Sequence, residues 1–357
     1  MYDLIIRTAS IIDGTGNPAF AGDVGIIGER IAGLGAHLEG ETHSEIDASG
    51  WVIAPGFIDA HTHDDLMVLR RAVAPPKVHQ GITTLVIGNC GFGMAPMVPA
   101  YGEAMKMASA AVLGEDDQPW NWPTMGAFLE TLRSMALGQN VRALLGHNAL
   151  RVAVMGFEPR AATAQELATQ EALVAEAMQA GAVGMSLGLM YTPGMYTPSP
   201  ELIRLARVVA RYSGVVTSHM RGEGDHLLDS LDEMLTLAEQ AEVAVHISHL
   251  KVTGRTNWGS ISNALERIEN ARARGLSITA DMYPYTAGST TMTQLMPPWA
   301  LEGGMKHMLK RLHDPAVQHQ ITQDFINGIP GWENQVGALG WERISLSSMQ
   351  REEHRAL

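Results

Sequence analysis

The chain has 357 residues, 46% of them hydrophobic, and a formal net charge of −13 at pH 7. This length and apolar content suit a (β/α)₈ barrel, which needs about 250 residues, with a small accessory domain. The acidic charge argues against nucleic acid and anionic membranes as partners, because both need a basic surface. One cysteine allows no internal disulfide, and neither a signal peptide nor a long apolar stretch is visible. We therefore expect a cytoplasmic protein, of a subunit number that the sequence leaves open.

The predicted elements begin with an all-β segment over residues 1–54 and continue as a regular alternation of strands and helices. The alternation is typical of parallel βαβ units. The predicted strands are FIDAHTH, TTLVIGNC, VRALLGHN, AVGMSLGL, VVTSHMR, VAVHISHLK, LSITADMYPY and WERISLSS. The clearest predicted helix opens on Thr163, with Glu166 in a capping-box position, and ends at Gly181. Residues 117–123 and 292–305 are predicted to be long loops.

Four apolar, strand-like runs end on histidine or cysteine. His61 and His63 close VIAPGFIDAHTH, Cys90 closes TTLVIGNC, His219 closes GVVTSH, and His249 closes VAVHISH. Because parallel barrel strands present their carboxyl ends at one rim, these side chains are expected to converge there. Imidazole and thiolate groups bind metals, so the pattern predicts a metal centre and an enzyme.

Each of these residues also has a structural interpretation. Side chains two apart in a strand share a face, so His61 and His63 could reach one metal, but a surface pair on an edge strand has the same spacing. Cys90 could bind or bridge zinc as a thiolate, or be a small buried apolar residue. A lone histidine at a position like that of His219 or His249 is more often a satisfied polar residue. Their joint occurrence favours the metal.

Other polar residues lie beside the strand ends. Lys251 and Arg221 each follow a strand-end histidine by two residues, and each could bind a substrate carboxylate or be solvated. Asp281 could be a metal ligand, a base or a loop anchor. Tyr283 could hydrogen-bond a substrate or simply pack. His246 lies an odd number of residues from the strand-end histidine, which assigns it to the opposite face and excludes it from the predicted site.

A metal centre of this kind predicts a hydrolase. A metal-bound water has a pKa lowered toward about 7, and the metal also polarises a carbonyl group. A neighbouring carboxylate would carry the proton from water to a leaving amine. The natural reaction is hydrolysis of an amide or a related C–N bond.

The motifs together resemble one protein family. APGFIDAHTHDD, the GNCG turn, SHMRGEGDHLLDSLDE, HISHLK and DMYPY resemble the amidohydrolase superfamily and, within it, the D-aminoacylases, or N-acyl-D-amino-acid deacylases. The resemblance runs from DLIIRTASIIDGTG to WERISLSS. His-x-His marks only the superfamily, whereas the cysteine of GNCG, in place of a carboxylated lysine on strand four, is much more specific.

The resemblance implies roles for nine residues. Zinc would be bound tightly by Cys90, His219 and His249, with a second, looser ion at His61 and His63 that shares Cys90. Four residues match substrate-binding positions: Lys251 and Tyr283 for the substrate carboxylate, Tyr191 for the acyl or side-chain pocket, and Arg221 in the HMR motif. The implied substrate is a small N-acyl-D-amino acid, hydrolysed by metal-activated water to a carboxylate and a free D-amino acid. Neutral side chains such as Met or Leu are favoured over acidic ones.

The sequence departs from the resemblance at its C-terminus. The resemblance implies a longer chain with a general-base Asp after the last barrel strand, but no Asp follows Asp324. The catalytic base is therefore unknown and expected beyond Leu357. We expect a β-sandwich segment over residues 1–54 and a TIM barrel over residues 55–357 that lacks strand eight. Because such a barrel leaves strand edges unpaired, the isolated chain is expected to be a poorly stable, nearly inactive fragment.

Two other functions stay open. A hydantoinase- or dihydroorotase-like enzyme acting on cyclic amides would be favoured by a lysine on strand four, and AVGMSLGL has none. A non-catalytic relic that binds metal or a small acid would retain the ligands without turnover. Metal analysis combined with a turnover assay separates these possibilities.

Overall fold

The computed structural model describes residues 1–70, 74–115 and 120–347. Its strands are β1 Tyr2–Ile11, β2 Phe20–Ile27, β3 Arg30–Gly35, β4 Thr42–Asp47, β5 Val52–Ile53, β6 Phe57–Asp59, β7 Ile82–Ile87, β8 Asn140–Gly146, β9 Gly184–Gly188, β10 Val215–His219, β11 Ala244–Ile247 and β12 Ile278–Ala280. The helices are α1 Asp65–Arg70, α2 Pro75–Val78, α3 Gly102–Leu113, α4 Met125–Ser134, α5 His147–Met155, α6 Ala164–Ala180, α7 Ser199–Ala210, α8 Leu227–Ala241, α9 Ser260–Ala273, α10 Met305–Arg311, α11 Pro315–Asn327 and α12 Gln335–Leu339.

The chain divides into two compact units. Unit 1 comprises Met1–Ile58 and His79–Thr83, and unit 2 comprises Asp59–Val78 and Thr84–Leu357. The predicted domain boundary between residues 54 and 55 stays a prediction. Among the described residues, no helix has both the length and the apolar character needed to cross a membrane.

Unit 1 contains a five-stranded sheet in the order β3-β2-β1-β4, with β5 also paired to β1. β1 and β2 pair in antiparallel fashion, with a register shift between Ile6 and Ala9, whereas β4 pairs with β1 in parallel. Alternation of apolar and polar residues along β1 buries one face, on which Ala9 packs with Val24 and Ala48. The sequence predicted the all-β character of this segment but not β4, because THSEID is polar and largely exposed.

The second sheet has seven strands in the order β12-β11-β10-β9-β8-β7-β6. Each described pairing from β7 to β12 is parallel. The connecting helices follow the predicted alternation, and α6, α7, α8 and α9 pack successively against one another. β9 is buried along its whole length, as expected for a central strand of a parallel sheet covered on both faces.

Several local predictions are confirmed. α6 begins after Thr163, whose side chain and that of Glu166 form both hydrogen bonds of a capping box, and Gly181 ends the helix in the left-handed conformation. β10 ends on His219 as predicted. Residues 292–305 contain only short 3₁₀ turns before α10. Residues 117–119 of the other predicted loop, which spans 117–123, lie outside the described residues.

One predicted strand is wrong. WERISLSS begins with a 3₁₀ turn over Trp341–Arg343 and continues without regular structure to Ser347. Alternating apolar residues indicate a strand only when a neighbouring strand supplies hydrogen-bond partners, and Trp341 and Leu346 are exposed. Within the described residues, no strand follows β12.

Candidate metal centre

Cys90 lies in a tight turn that directly follows β7. Gly88, Cys90 and Gly91 all have positive φ angles, of 79°, 54° and 76°. The left-handed conformation of a cysteine is strained, and it persists only where the surroundings fix it. Here the turn is fixed from two sides, because Ser186 on β9 accepts from the Gly91 amide at 3.0 Å and Asn148 donates to the Gly91 carbonyl at 3.0 Å. The result is a buried thiol at the carboxyl end of the sheet.

His61 and His63 lie just beyond the end of their strand. β6 ends at Asp59, so strand alternation is not what brings the two imidazoles together, contrary to the sequence argument. Their rings nevertheless lie edge to face, with centroids 5.5 Å apart. The His61 amide donates to the Asp59 carboxylate at 3.2 Å, which fixes the turn after the strand.

His219 and His249 occupy neighbouring strand ends. His219 is the last residue of β10, whereas β11 ends at Ile247 and His249 follows it with a positive φ of 39°. Their ring centroids are 4.4 Å apart. The His249 amide donates to the Asp281 carboxylate at 2.6 Å, which fixes this strained position.

The five predicted ligand side chains converge on the thiol. Possible ligand atoms of His61, His63 and Cys90 all lie within 4.8 Å of one another, and the same holds for Cys90, His219 and His249. Cys90 therefore belongs to both groups. The His61 Nε2 atom is 3.2 Å from Cys90 Sγ, and the His249 Nε2 atom is 3.6 Å from it.

Burial sets the protonation of these groups. It lowers the pKa of His63 to about 3 and lowers that of His219 well below its ordinary value, so both imidazoles are neutral and keep a free lone pair. Burial also raises the pKa of the Cys90 thiol, which Glu223 and Asp281 raise further. Among the described residues, the buried Nδ1 atoms of His63 and His219 have no hydrogen-bond partner.

This donor set fits a zinc ion. Cysteine sulfur and neutral imidazole nitrogen are the donors that zinc binds most readily in proteins. Unpartnered buried nitrogens are costly in a folded protein, and a metal would satisfy those that face it. A thiol held protonated by burial becomes a thiolate when a metal coordinates it.

Three of the four predicted substrate-binding residues lie beside these ligands. The Tyr191 ring packs against the His219 ring at 4.7 Å and its hydroxyl shares a 3.0 Å hydrogen bond with Thr290. The Lys251 Nζ atom lies 5.6 Å over the Tyr283 ring. β11 ends at Ile247, so strand alternation does not position Lys251, but its Nζ atom lies 3.0 Å from His249 Nδ1.

Arg221 is engaged differently. Its guanidinium donates to Glu233 at 2.8 Å, to the Met195 carbonyl at 2.9 Å, and to the Thr197 carbonyl. These bonds join the β10 end to the segment after β9. A substrate-binding role for Arg221 stays a prediction.

Sequence reasoning missed two residues of this cluster. Glu223 is buried and lies within 2.9 Å of His249 Nδ1 and 2.6 Å of Lys251 Nζ. His246 was assigned to the opposite face, but its Nε2 atom lies 2.8 Å from the Asp281 carboxylate. The parity argument failed because β11 ends between His246 and His249. The only available signal for Glu223 was its position four residues after a strand-end histidine.

Comparison with known proteins gives the family. A model of the amidohydrolase family matches residues 44–354. The chain belongs to the amidohydrolase family. Its fold is the amidohydrolase fold related to D-aminoacylase structures, and its candidate centre lies at the carboxyl ends of parallel strands.

Among individual amidohydrolases, the chain is 39% identical to a D-aminoacylase of Alcaligenes xylosoxydans xylosoxydans, over 82% of this chain and 59% of that protein. It is similar to a D-aminoacylase structure from work on its binuclear metal centre, with a TM-score of 0.75 and 37% identity over 81% of this chain and 60% of the other. A Bordetella bronchiseptica N-acyl-D-glutamate deacylase complexed with zinc and a phosphonate inhibitor gives a TM-score of 0.73 and 38% identity, over 80% of this chain and 59% of the other. The chain thus spans about 60% of the length of these relatives.

Proposed function

We propose that this protein hydrolyses the amide bond of N-acyl-D-amino acids with the help of bound zinc. The observation that carries the proposal is the convergence of four histidines on the one cysteine at the carboxyl ends of parallel strands. Two of the similar proteins described above are a D-aminoacylase and an N-acyl-D-glutamate deacylase, the latter complexed with zinc. In this proposal the barrel is incomplete and is preceded by a small β-sandwich segment.

The proposal assigns zinc to the two groups of side chains that share Cys90. Cys90, His219 and His249 would hold one zinc tightly, and His61 and His63 would hold a second, weaker ion that shares the thiolate. A bound zinc supplies a polarised carbonyl and a water of lowered pKa. The remaining task of the protein is to orient the substrate.

Lys251 and Tyr283 provide the means of orientation. A carboxylate on the substrate would meet the Lys251 ammonium group, whose side chain is 18% exposed, with the Tyr283 ring alongside. Burial raises the pKa of Tyr283 to about 12, so its hydroxyl stays protonated and able to donate at neutral pH. Phe92 and Tyr191, with ring centroids 4.8 Å apart, form an apolar wall suited to the acyl or side-chain group.

The cyclic-amide alternative is less well supported. β9 consists of Gly184, Met185, Ser186, Leu187 and Gly188 and has no lysine for carboxylation. Buried Cys90 lies beside β9, with its carbonyl 2.0 Å from the place where a Cβ on Gly188 would stand. In this proposal the Cys90 thiolate serves in place of the carboxylated lysine that the cyclic-amide alternative would need.

The test is a turnover assay on the full protein loaded with zinc. N-acetyl-D-methionine, its L enantiomer and a hydantoin are incubated separately, and released amine or opened ring is quantified. We expect amine release from the D substrate only, at a low rate, because the barrel is incomplete in this proposal. Zinc binding without turnover would support the relic interpretation instead, and ring opening would support the cyclic-amide enzyme.

Replacement of Lys251 tests the orientation step. Lys251→Met should raise KM for the D substrate about tenfold or more, because a charge-assisted hydrogen bond contributes about 1.5–3 kcal/mol. Lys310→Met, on an exposed face of α10, is the matched control and should leave KM unchanged. An unaltered KM in Lys251→Met would remove the lysine from the carboxylate site.

A further inference from the structure

Two carboxylates contact the Nδ1 atoms of histidines at the centre. Asp281 follows the last residue of β12, and Glu223 lies in the loop after β10. Neither belongs to the two ligand groups around Cys90. Each instead contacts the nitrogen of an imidazole that faces away from the thiol.

Asp281 receives three donors. Its Oδ2 atom is 2.9 Å from His61 Nδ1 and 2.8 Å from His246 Nε2, and its Oδ1 atom accepts from the His249 amide at 2.6 Å. The Asp281 main chain is paired as well, since its amide donates to the Ile247 carbonyl at 3.1 Å and its carbonyl accepts from the Leu250 amide at 2.9 Å. The carboxylate is therefore fixed relative to the end of β11.

Glu223 serves His249 in the same way. Its Oε1 atom is 2.9 Å from His249 Nδ1 and 2.6 Å from Lys251 Nζ. Glu223 thus presents one carboxylate oxygen to two nitrogen groups that are able to donate a hydrogen bond. It is also 4% exposed, which excludes competition from bulk water.

One further contact bears on which nitrogen of His249 carries the proton. Lys251 Nζ lies 3.0 Å from His249 Nδ1, and an ammonium group can only donate. If Nδ1 accepted from Lys251, Nε2 would carry the proton and have no lone pair for a metal. If Nδ1 donates to Glu223, the ammonium is satisfied by the same carboxylate and Nε2 is free. Both arrangements satisfy Lys251 and Glu223, because in the first the ammonium can also donate to Glu223, but only the second leaves the Nε2 lone pair free for the proposed zinc.

The two histidines thus share one geometry. In both, Nδ1 faces a carboxylate, and in both, Nε2 faces Cys90 Sγ, at 3.2 Å for His61 and 3.6 Å for His249. A carboxylate that accepts from one ring nitrogen fixes the tautomer and the ring orientation and makes the other nitrogen a better ligand. His63 and His219 differ, since their Nδ1 atoms have no partner among the described residues.

We propose that Asp281 and Glu223 are positioning residues that hold His61 and His249 as Nδ1–H tautomers, with both Nε2 lone pairs aimed at the space beside the Cys90 thiol. The inference rests on the proposed zinc site. It assigns the two carboxylates to metal affinity and ligand orientation rather than to proton transfer. Asp281 suits that assignment, because its oxygens already accept from three donors.

The test measures zinc affinity and histidine tautomers in the full chain. Chelator competition gives the zinc dissociation constant, and long-range ¹H–¹⁵N NMR of the zinc-free protein shows which nitrogen carries each proton. In Asp281→Asn only one side-chain oxygen remains, and an NH₂ group replaces the other. The NH₂ group then faces either the His249 amide, which is also a donor, or His61 Nδ1, to which it donates. We expect about 10- to 100-fold weaker zinc binding in Asp281→Asn and in Glu223→Ala. We also expect His61 to shift toward the Nε2–H tautomer in Asp281→Asn.

Matched controls are available at two carboxylates outside the ligand groups around Cys90. Asp324 accepts from the Trp299 indole at 2.8 Å, and Glu176 accepts from the Gly126 amide at 3.0 Å. Asp324→Asn and Glu176→Ala should retain the zinc affinity of the unaltered chain. They report the general effect of removing a carboxylate that accepts a hydrogen bond.

The outcomes separate the two proposals. If the unaltered chain binds zinc, and Asp281→Asn and Glu223→Ala bind it with the same affinity as the control variants, the positioning inference is overturned and the proposed zinc site is retained. No zinc binding by the unaltered chain overturns the proposed function together with the inference. Nε2–H tautomers of His61 and His249 in the zinc-free unaltered chain contradict the inference even if a variant fails to fold.

Discussion

At the scale of single residues, burial sets which side chains are neutral and able to bind a metal, and local partners set which stay ionised. Burial lowers the pKa of His63 and of His219, which keeps both imidazoles neutral, and raises the pKa of the Cys90 thiol, which keeps it protonated. Asp281 and Glu223 stay ionised because hydrogen bonds and neighbouring charges outweigh their own burial. The same opposition operates within unit 1.

Asp23 provides a test of that opposition. Burial opposes its ionisation, but amides of Thr8 and Leu38 and the Arg7 guanidinium lower its pKa from 3.8 to about 2. A folded pKa below the unfolded value adds stability above about pH 4 that disappears as the pH falls toward 2. Asp23→Asn should lower the free energy of opening β1 and β2. This loss, relative to the unaltered chain, should become smaller by on the order of 1–2 kcal/mol from pH 5 to pH 2.

Hydrogen exchange of the β1 and β2 amides measures this difference at each pH. Glu29→Gln, in the exposed turn between β2 and β3, is the control and should follow the unaltered chain at every pH. A difference for Asp23→Asn that is constant with pH would show that the carboxylate charge contributes nothing to the stability of unit 1.

At the same scale, the sequence could identify ligand types but not their partners. The five strand-end ligands stand out because a histidine or cysteine after an apolar run is chemically conspicuous. Glu223 does not stand out, since a glutamate in a glycine-rich loop is normally solvated. It is buried here only because Lys251 and His249, from another strand end, face it.

At the scale of elements, the helices were more predictable than the strand ends. The capping box and terminal glycine define α6 locally, so its ends needed no tertiary information. Strand ends depend on where a neighbouring strand stops supplying partners. β6 ends two residues before His61, and β11 ends two residues before His249. The sequence pattern instead predicted strands that continue to these ligands.

The turn after β7 is the element on which the centre depends most. Gly91 has a φ of +76°, and a Cβ there would stand 2.6 Å from the Gly188 amide nitrogen and 3.0 Å from its Cα. Gly91→Ala should therefore combine backbone strain with displacement of the turn and cost about 3 kcal/mol of unfolding free energy. It should also weaken zinc binding, because the turn carries Cys90.

Gly275→Ala is the matched control for this prediction. Gly275 has a comparable φ of +95°, but a Cβ there would meet no atom within 4 Å. It should cost about 1 kcal/mol and leave zinc binding unchanged. Urea unfolding and chelator competition measure both effects. Equal losses in the two variants would mean that the close approach of the turn to β9 does not matter.

At the scale of the whole molecule, the fold is what makes five distant residues one centre. His61 and His249 are 188 positions apart in the chain, yet both lie within 3.6 Å of the same sulfur. Successive parallel strands bring their carboxyl ends to one edge, and the sequence could therefore predict convergence but not distances. The resemblance already implied a shared Cys90, and the structure adds the distances that bring His61 and His63 into one group with this sulfur and His219 and His249 into the other.

The central claim is that zinc in this protein is bound through the Cys90 sulfur together with imidazole nitrogens. X-ray absorption at the zinc edge of the full chain, loaded with one equivalent of zinc, measures the ligand atoms directly. We predict a sulfur scatterer at about 2.3 Å and nitrogen scatterers at about 2.0 Å, with the sulfur lost in Cys90→Ala. A zinc spectrum with only nitrogen and oxygen neighbours in the unaltered chain would contradict the account.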